Sequence, residues 1–122
     1  MPKVHLVKSF SFDAAHHLPQ APEGHKCRNL HGHGFRFELE CAGDVDPQRG
    51  WFLDFHDISA VGKKIVEKLD HCRLNDIPGL KTGTSEALAV WIWQEVFPQL
   101  PGLVRVTVYE TPTSACHYYG EA

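Results

Sequence analysis

His16, His31 and His33 are the side chains of this sequence best placed to do chemistry, because imidazole both ligates metals and carries protons near neutral pH. Alternate side chains of a strand share a face, so the H-x-H of His31 and His33 points two rings the same way. His16 closes an alternating stretch whose even positions include Val4, Leu6, Phe10, Phe12 and Ala14. His31 and His33 open a second one, continued by Phe35, Phe37, Leu39 and Cys41, with Arg36, Glu38 and Glu40 on its other side. Paired antiparallel, the two stretches bring all three imidazoles to one end of an apolar face, where opposed Cβ atoms stand about 4.5–5.5 Å apart. A single such histidine reads as a satisfied core residue. Three crowded together need a shared partner. Three neutral nitrogens with an open fourth position describe a catalytic Zn²⁺ site rather than a closed structural one.

The segment between the two stretches, LPQAPEGHKCRNL, holds two prolines and a glycine and cannot continue a strand. It carries Cys27, which it hangs beside the expected metal, and Lys26 and Arg28 flank the thiol. Nearby positive charge favours a reactive thiolate over an inert buried cysteine. Asp70 and His71 form an adjacent pair in which a carboxylate can orient an imidazole, although such pairs also simply cap helix ends. Glu110 ends the run Val104, Val106, Val108. An unpaired carboxylate there is costly unless it reaches water at the sheet rim, or offers two acceptors to a planar N–H/NH₂ edge.

The elements that must position these groups follow from periodicity. Asp57 can cap a first helix with the stripe Ile58, Val61, Ile65 and Leu69. Thr84 or Ser85 caps a second, with Glu86 in its first turn and Leu88, Trp91, Ile92 and Val96 facing inward. Two more strands follow, the last over Cys116–Tyr119. The order β-β-α-α-β-β predicts an α+β fold, an antiparallel sheet with two helices on one face. The 122 residues suit one domain spanning 1–122, and a formal charge of −3 offers no electrostatic footprint for nucleic acid. No apolar run approaches the roughly 18–20 residues that cross a bilayer, and the N-terminus lacks a signal peptide's pattern. Four cysteines without a C-x-x-C pair read as reduced thiols, hence a cytoplasmic location.

At these residues the chain resembles a known family. F-x-A-A-H (Phe12 to His16), C-x-x-x-H-G-H (Cys27 to His33), L-D-H (Leu69 to His71), T-S-E (Thr84 to Glu86) and Y-E-T (Tyr109 to Thr111) resemble the 6-pyruvoyl-tetrahydropterin synthase superfamily, in the family's order. The spacing between Cys27 and His31 is similar to that of bacterial 6-carboxy-5,6,7,8-tetrahydropterin synthases of queuosine biosynthesis. The resemblance implies the tunnelling fold (T-fold), with Zn²⁺ on His16, His31 and His33. It makes Cys27 the catalytic base, Asp70 and His71 a relay, and Glu110 the pterin anchor, with Thr84 and Ser85 beside it in substrate binding. The implied activity is a zinc-dependent carbon–carbon lyase acting on 7,8-dihydroneopterin triphosphate, which loses triphosphate and acetaldehyde. Two alternatives are a 6-pyruvoyl synthase that eliminates triphosphate only, and a non-catalytic zinc- and pterin-binding module. The implied assembly is a homohexamer, a dimer of trimers with active sites between subunits, so that Asp70 and His71 can reach Cys27 of another chain.

Overall fold

The computed structural model describes residues 1–122. Its elements are β1 (Lys3–His16), β2 (His31–Asp44), α1 (Phe55–Leu69), α2 (Ser85–Val96), β3 (Leu103–Thr111) and β4 (Ser114–Tyr118), with short 3-10 turns at Lys26–Arg28 and Leu74–Asp76. The strands make one antiparallel sheet in the order β1-β2-β3-β4. Side chains of both helices join one core cluster with the inward residues of the sheet, so the helices share a face. This is the α+β arrangement expected from the sequence.

The alternation on β1 and β2 explains the core. Phe10 lies opposite Phe37 and Phe12 opposite Phe35, and each pair stacks, with ring centroids 5.1 and 5.2 Å apart. Cross-strand aromatic pairs of this kind contribute roughly 0.2–1 kcal/mol each beyond ordinary packing. The ladder runs unbroken from Lys3↔Asp44 to His16↔His31. Farther along, β2 and β3 shift register at Glu40/Cys41, so that Cys41 pairs with Leu103. Leu103 is therefore buried where strict alternation predicts Val104.

Two helix details differ from the sequence reading. The N-cap of α1 is Asp54, whose carboxylate accepts from the His56 N–H at 2.8 Å, and Asp57 lies in the first turn. Both aspartates offer the same chemistry, and the chain's exit from the sheet decides between them. In α2 the fully buried positions are Leu88, Ala89, Ile92 and Val96, while Trp91 is half-buried. Trp91 and Trp93 pack against the edge of the core instead. On the other helix, α1 packs closely against β1, with Gly62 sitting directly on the ring of Phe10.

Alanine normally stabilises a helix by about 1 kcal/mol over glycine. At Gly62 the sign is expected to reverse, because a Cβ there overlaps the Phe10 ring. Gly62→Ala is expected to lower stability by about 1–3 kcal/mol, the usual cost of overpacking, in urea denaturation. An unchanged or raised midpoint would contradict the packing described.

Candidate metal centre and active site

The register that pairs His16 with His31 and Ala14 with His33 converges the three imidazoles at one end of the helix-covered face. Their ring centroids lie 4.6, 5.1 and 4.9 Å apart, and one nitrogen from each falls within 4.8 Å of the others. In two of the three rings the second nitrogen is engaged. Nδ1 of His16 lies 2.6 Å from the Gly83 carbonyl, and Nδ1 of His31 lies 2.7 Å from the Asn29 carbonyl. A carbonyl only accepts, so both Nδ1 atoms carry the proton and both Nε2 atoms present lone pairs. His16 is 1 % exposed, and its Nε2 has no hydrogen-bond partner. A buried, unpartnered lone pair beside two further imidazoles fits a metal ligand, and carbonyls on the rear nitrogens are the usual outer support of such ligands.

Glu110 lies closer to this cluster than its sequence position on a strand rim suggests. Its carboxylate oxygens are 3.7 Å from His16 Nε2 and 4.0 Å from His33 Nε2. The Ser85 hydroxyl donates to Glu110 Oε1 at 3.2 Å. The two residues line a cleft of about 350 Å³ together with Glu86, Val108, Ser114 and Cys116. Thr84, by contrast, spends its hydroxyl on the N-cap of α2, accepting from the Ala87 N–H at 3.1 Å. Glu86 is the cleft residue that sequence reasoning passed over as a first-turn helix acid. The signal was its place in T-S-E, one residue beyond Ser85.

Cys27 occupies the 3-10 turn between β1 and β2, which is tied to the end of β1 by the Leu18 N–H donating to the Cys27 carbonyl at 2.7 Å. The turn is capped by His25, whose Nδ1 accepts from the Cys27 N–H at 3.0 Å, a local role the sequence left unassigned. The thiol is half-buried, and all four cysteines are free. Asp70 and His71 do form a pair, with His71 Nδ1 2.9 Å from Asp70 Oδ2. The Asp13 N–H donates to Asp70 Oδ1 at 3.0 Å and, with His71, holds that carboxyl below its ordinary range. Backbone bonds from His71 to Asp13 and from Ala15 to Cys72 fasten the segment along the outer edge of β1. His71 is the one non-glycine residue with positive φ, at 58°. Its ring is 80 % exposed and lines a depression with Ser11, Asp13, Gly34 and Arg36, on the face away from the helices. Within one chain the structure brings the three histidines and Glu110 together, and His71 lies on the open face of the sheet.

A four-stranded antiparallel sheet with two helices on one face is the arrangement of the tunnelling fold. The chain is similar over 99 % of its length to the structure of Caenorhabditis elegans 6-pyruvoyl tetrahydropterin synthase, with a TM-score of 0.89, 28 % identity and 98 % of that chain covered. The family described as 6-pyruvoyl tetrahydropterin synthase matches residues 5–121, and the chain belongs to it. Among its relatives, a 6-carboxy-5,6,7,8-tetrahydropterin synthase of Synechocystis sp. is 44 % identical over 93 % of this chain and 92 % of its own length. A 6-pyruvoyl tetrahydrobiopterin synthase of Dictyostelium discoideum is 38 % identical over 79 % of this chain and 75 % of its own. No helix is long and apolar enough to cross a membrane.

Burial pushes the His16 imidazole below its ordinary value of 6.5, against the opposite pull of the Gly83 carbonyl and Glu110. The unfolded chain therefore takes up a proton at higher pH than folded His16 does. The metal-free protein is expected to lose stability as pH falls below 6.5. Denaturant midpoints taken in chelator at about pH 7.5 and about pH 5.5 test the sign, and a midpoint that rises on acidification contradicts it.

Proposed function

We propose that this protein is a zinc-dependent lyase that converts 7,8-dihydroneopterin triphosphate and one water to 6-carboxy-5,6,7,8-tetrahydropterin, releasing triphosphate and acetaldehyde, the water supplying the second carboxylate oxygen as the carbon–carbon bond breaks. It acts in queuosine (7-deazapurine) biosynthesis. The observation that carries this reading is the buried, unpartnered Nε2 of His16 within a cluster of three imidazoles. The Synechocystis relative's name supports the carboxy product.

His16, His31 and His33 would hold Zn²⁺, with the proton on Nδ1 of His16 and His31 fixed by the carbonyls behind them. Bound there, zinc supplies a Lewis acid that polarises the substrate's side-chain oxygens and makes the adjacent C–H more acidic. The Cys27 thiolate takes the proton from that carbon. His71, oriented by Asp70, returns or relays a proton as general acid. The cleft beside the metal takes the pterin ring, where the carboxylates of Glu110 and Glu86 offer paired acceptors to its N–H/NH₂ edge. Ser85 orients Glu110 through its hydroxyl, and Thr84 shapes the cleft as the cap of α2. Because His71 lines the opposite face of its own sheet, the Asp70–His71 pair serves the Cys27 of a neighbouring subunit. Both sheet edges, β1 and β4, carry backbone groups that assembly can pair, in keeping with a homohexamer. Reduced cysteines suit a cytoplasmic enzyme.

Cys27→Ala is expected to cut turnover by at least about 10²-fold, the usual contribution of a positioned base, while retaining zinc. His31→Ala is expected to lose the metal. A fully active Cys27→Ala protein would overturn the mechanism, and absence of turnover in zinc-loaded wild type would leave a binding module. Mass analysis of products separates the reactions: acetaldehyde with the 6-carboxy product supports this reading, and 6-pyruvoyl product alone overturns it. Mixing Cys27→Ala with His71→Ala chains under subunit exchange is expected to recover part of the activity. No recovery would mean that the two residues act within one chain.

A further inference from the structure

The two carbonyls that fix the metal-facing tautomers have different origins. Asn29 lies two residues from His31 in sequence, so that contact is local. Gly83 lies 67 residues from His16, and its carbonyl arrives at 2.6 Å only because a loop has closed over the end of β1. That loop leaves the 3-10 turn Leu74–Asp76 and ends at Thr84, the N-cap of α2. Leu74 and Leu80 anchor it in the core.

Asn75 supplies the polar part of the closure. Its Nδ2 donates to the His17 carbonyl at 2.9 Å and to the Lys81 carbonyl at 3.0 Å, and its Oδ1 accepts from the His17 N–H at 3.0 Å. One amide thus pairs with the backbone of the residue next to the metal ligand and with the loop that carries the Gly83 carbonyl. Gly83 itself has φ +71°, which other residues rarely adopt, and a Cβ there would overlap the His17 carbonyl oxygen and crowd Asn75 Nδ2. Glycine is the residue that lets the loop seat this deeply.

We propose that Asn75 and Gly83 are positioning residues of the metal centre: the Asn75 amide locks the loop onto His17, so that the Gly83 carbonyl accepts the Nδ1 proton of His16 and aims its Nε2 at the metal. His16 is thereby the ligand whose direction depends on a distant segment. The inference rests on the three-histidine metal site and not on the reaction assigned to it. Outer partners of ligating histidines typically tune metal affinity by about 10–100-fold.

The test measures zinc affinity by competition with a chromophoric chelator, alongside the visible spectrum of the Co²⁺-loaded protein. Asn75→Ala and Gly83→Ala are expected to weaken zinc binding by about 10–100-fold and to alter the Co²⁺ spectrum, with the far-ultraviolet circular dichroism retained. Lys81→Ala, which leaves the backbone contacts in place, is expected to bind as wild type does. Variants that fold and bind zinc with wild-type affinity and spectrum overturn the assignment. Wild-type protein that fails to bind zinc overturns the metal site itself, a separable result. Nitrogen-15 NMR of metal-free wild type tests the same point without any substitution. Neutral His16 protonated on Nδ1 is expected, and protonation on Nε2 overturns the proposal even if both variants fail to fold.

Discussion

The antiparallel ladder between β1 and β2 is the constraint on which the rest of the structure depends. It stacks Phe10 on Phe37 and Phe12 on Phe35, then, farther along the same face, sets His16 against His31. Core and histidine cluster are thus successive stretches of one surface. A slip of one residue would send the phenylalanines and the histidines to the open face together. The aromatic pairs therefore hold the register that the imidazoles need, and fold stability and site geometry share one set of contacts. The α1 helix reinforces this by seating Gly62 on Phe10.

A polar cluster at the end of an apolar face has an electrostatic cost, and the structure meets it from several directions. Burial disfavours the protonated form of His16, and its histidine neighbours act in the same sense. Backbone carbonyls take up the rear nitrogens of His16 and His31, whereas the Glu110 carboxylate, 3.7 and 4.0 Å from the Nε2 atoms of His16 and His33, adds negative charge that a proton or a cation there would offset. The Nε2 of His16, on a nearly inaccessible ring, is left without a hydrogen-bond partner. Buried polar groups rarely persist in that condition without a partner, and the three rings together could hold a metal ion.

The N-terminus of α2 concentrates three tasks in consecutive residues. Gly83 offers its carbonyl to His16, Thr84 caps the helix, and Ser85 donates to Glu110. The T-S-E segment thus acts on the site chiefly by holding other groups. The Asp70–His71 pair is organised by different means, a short backbone pairing with the edge of β1 and a left-handed residue that turns the imidazole outward.

Much of this is legible in the amino-acid sequence, for a definite reason. The parity of His16, His31 and His33 is a property of the extended backbone, with its period of two, and needs no knowledge of the surroundings. The cap at Thr84 and the aspartate–histidine pairing are equally local. Tertiary structure decided the start of α1 at Asp54, the register shift that buries Leu103, the approach of Glu110 to His16 and His33, and the placing of His71 on the open face. Each of these depends on where one element ends relative to another. The clearest case is the tautomer of His16: the sequence by itself determined that this imidazole belongs to the cluster, but the carbonyl that orients it comes from Gly83, and only a closed loop brings it within hydrogen-bonding distance.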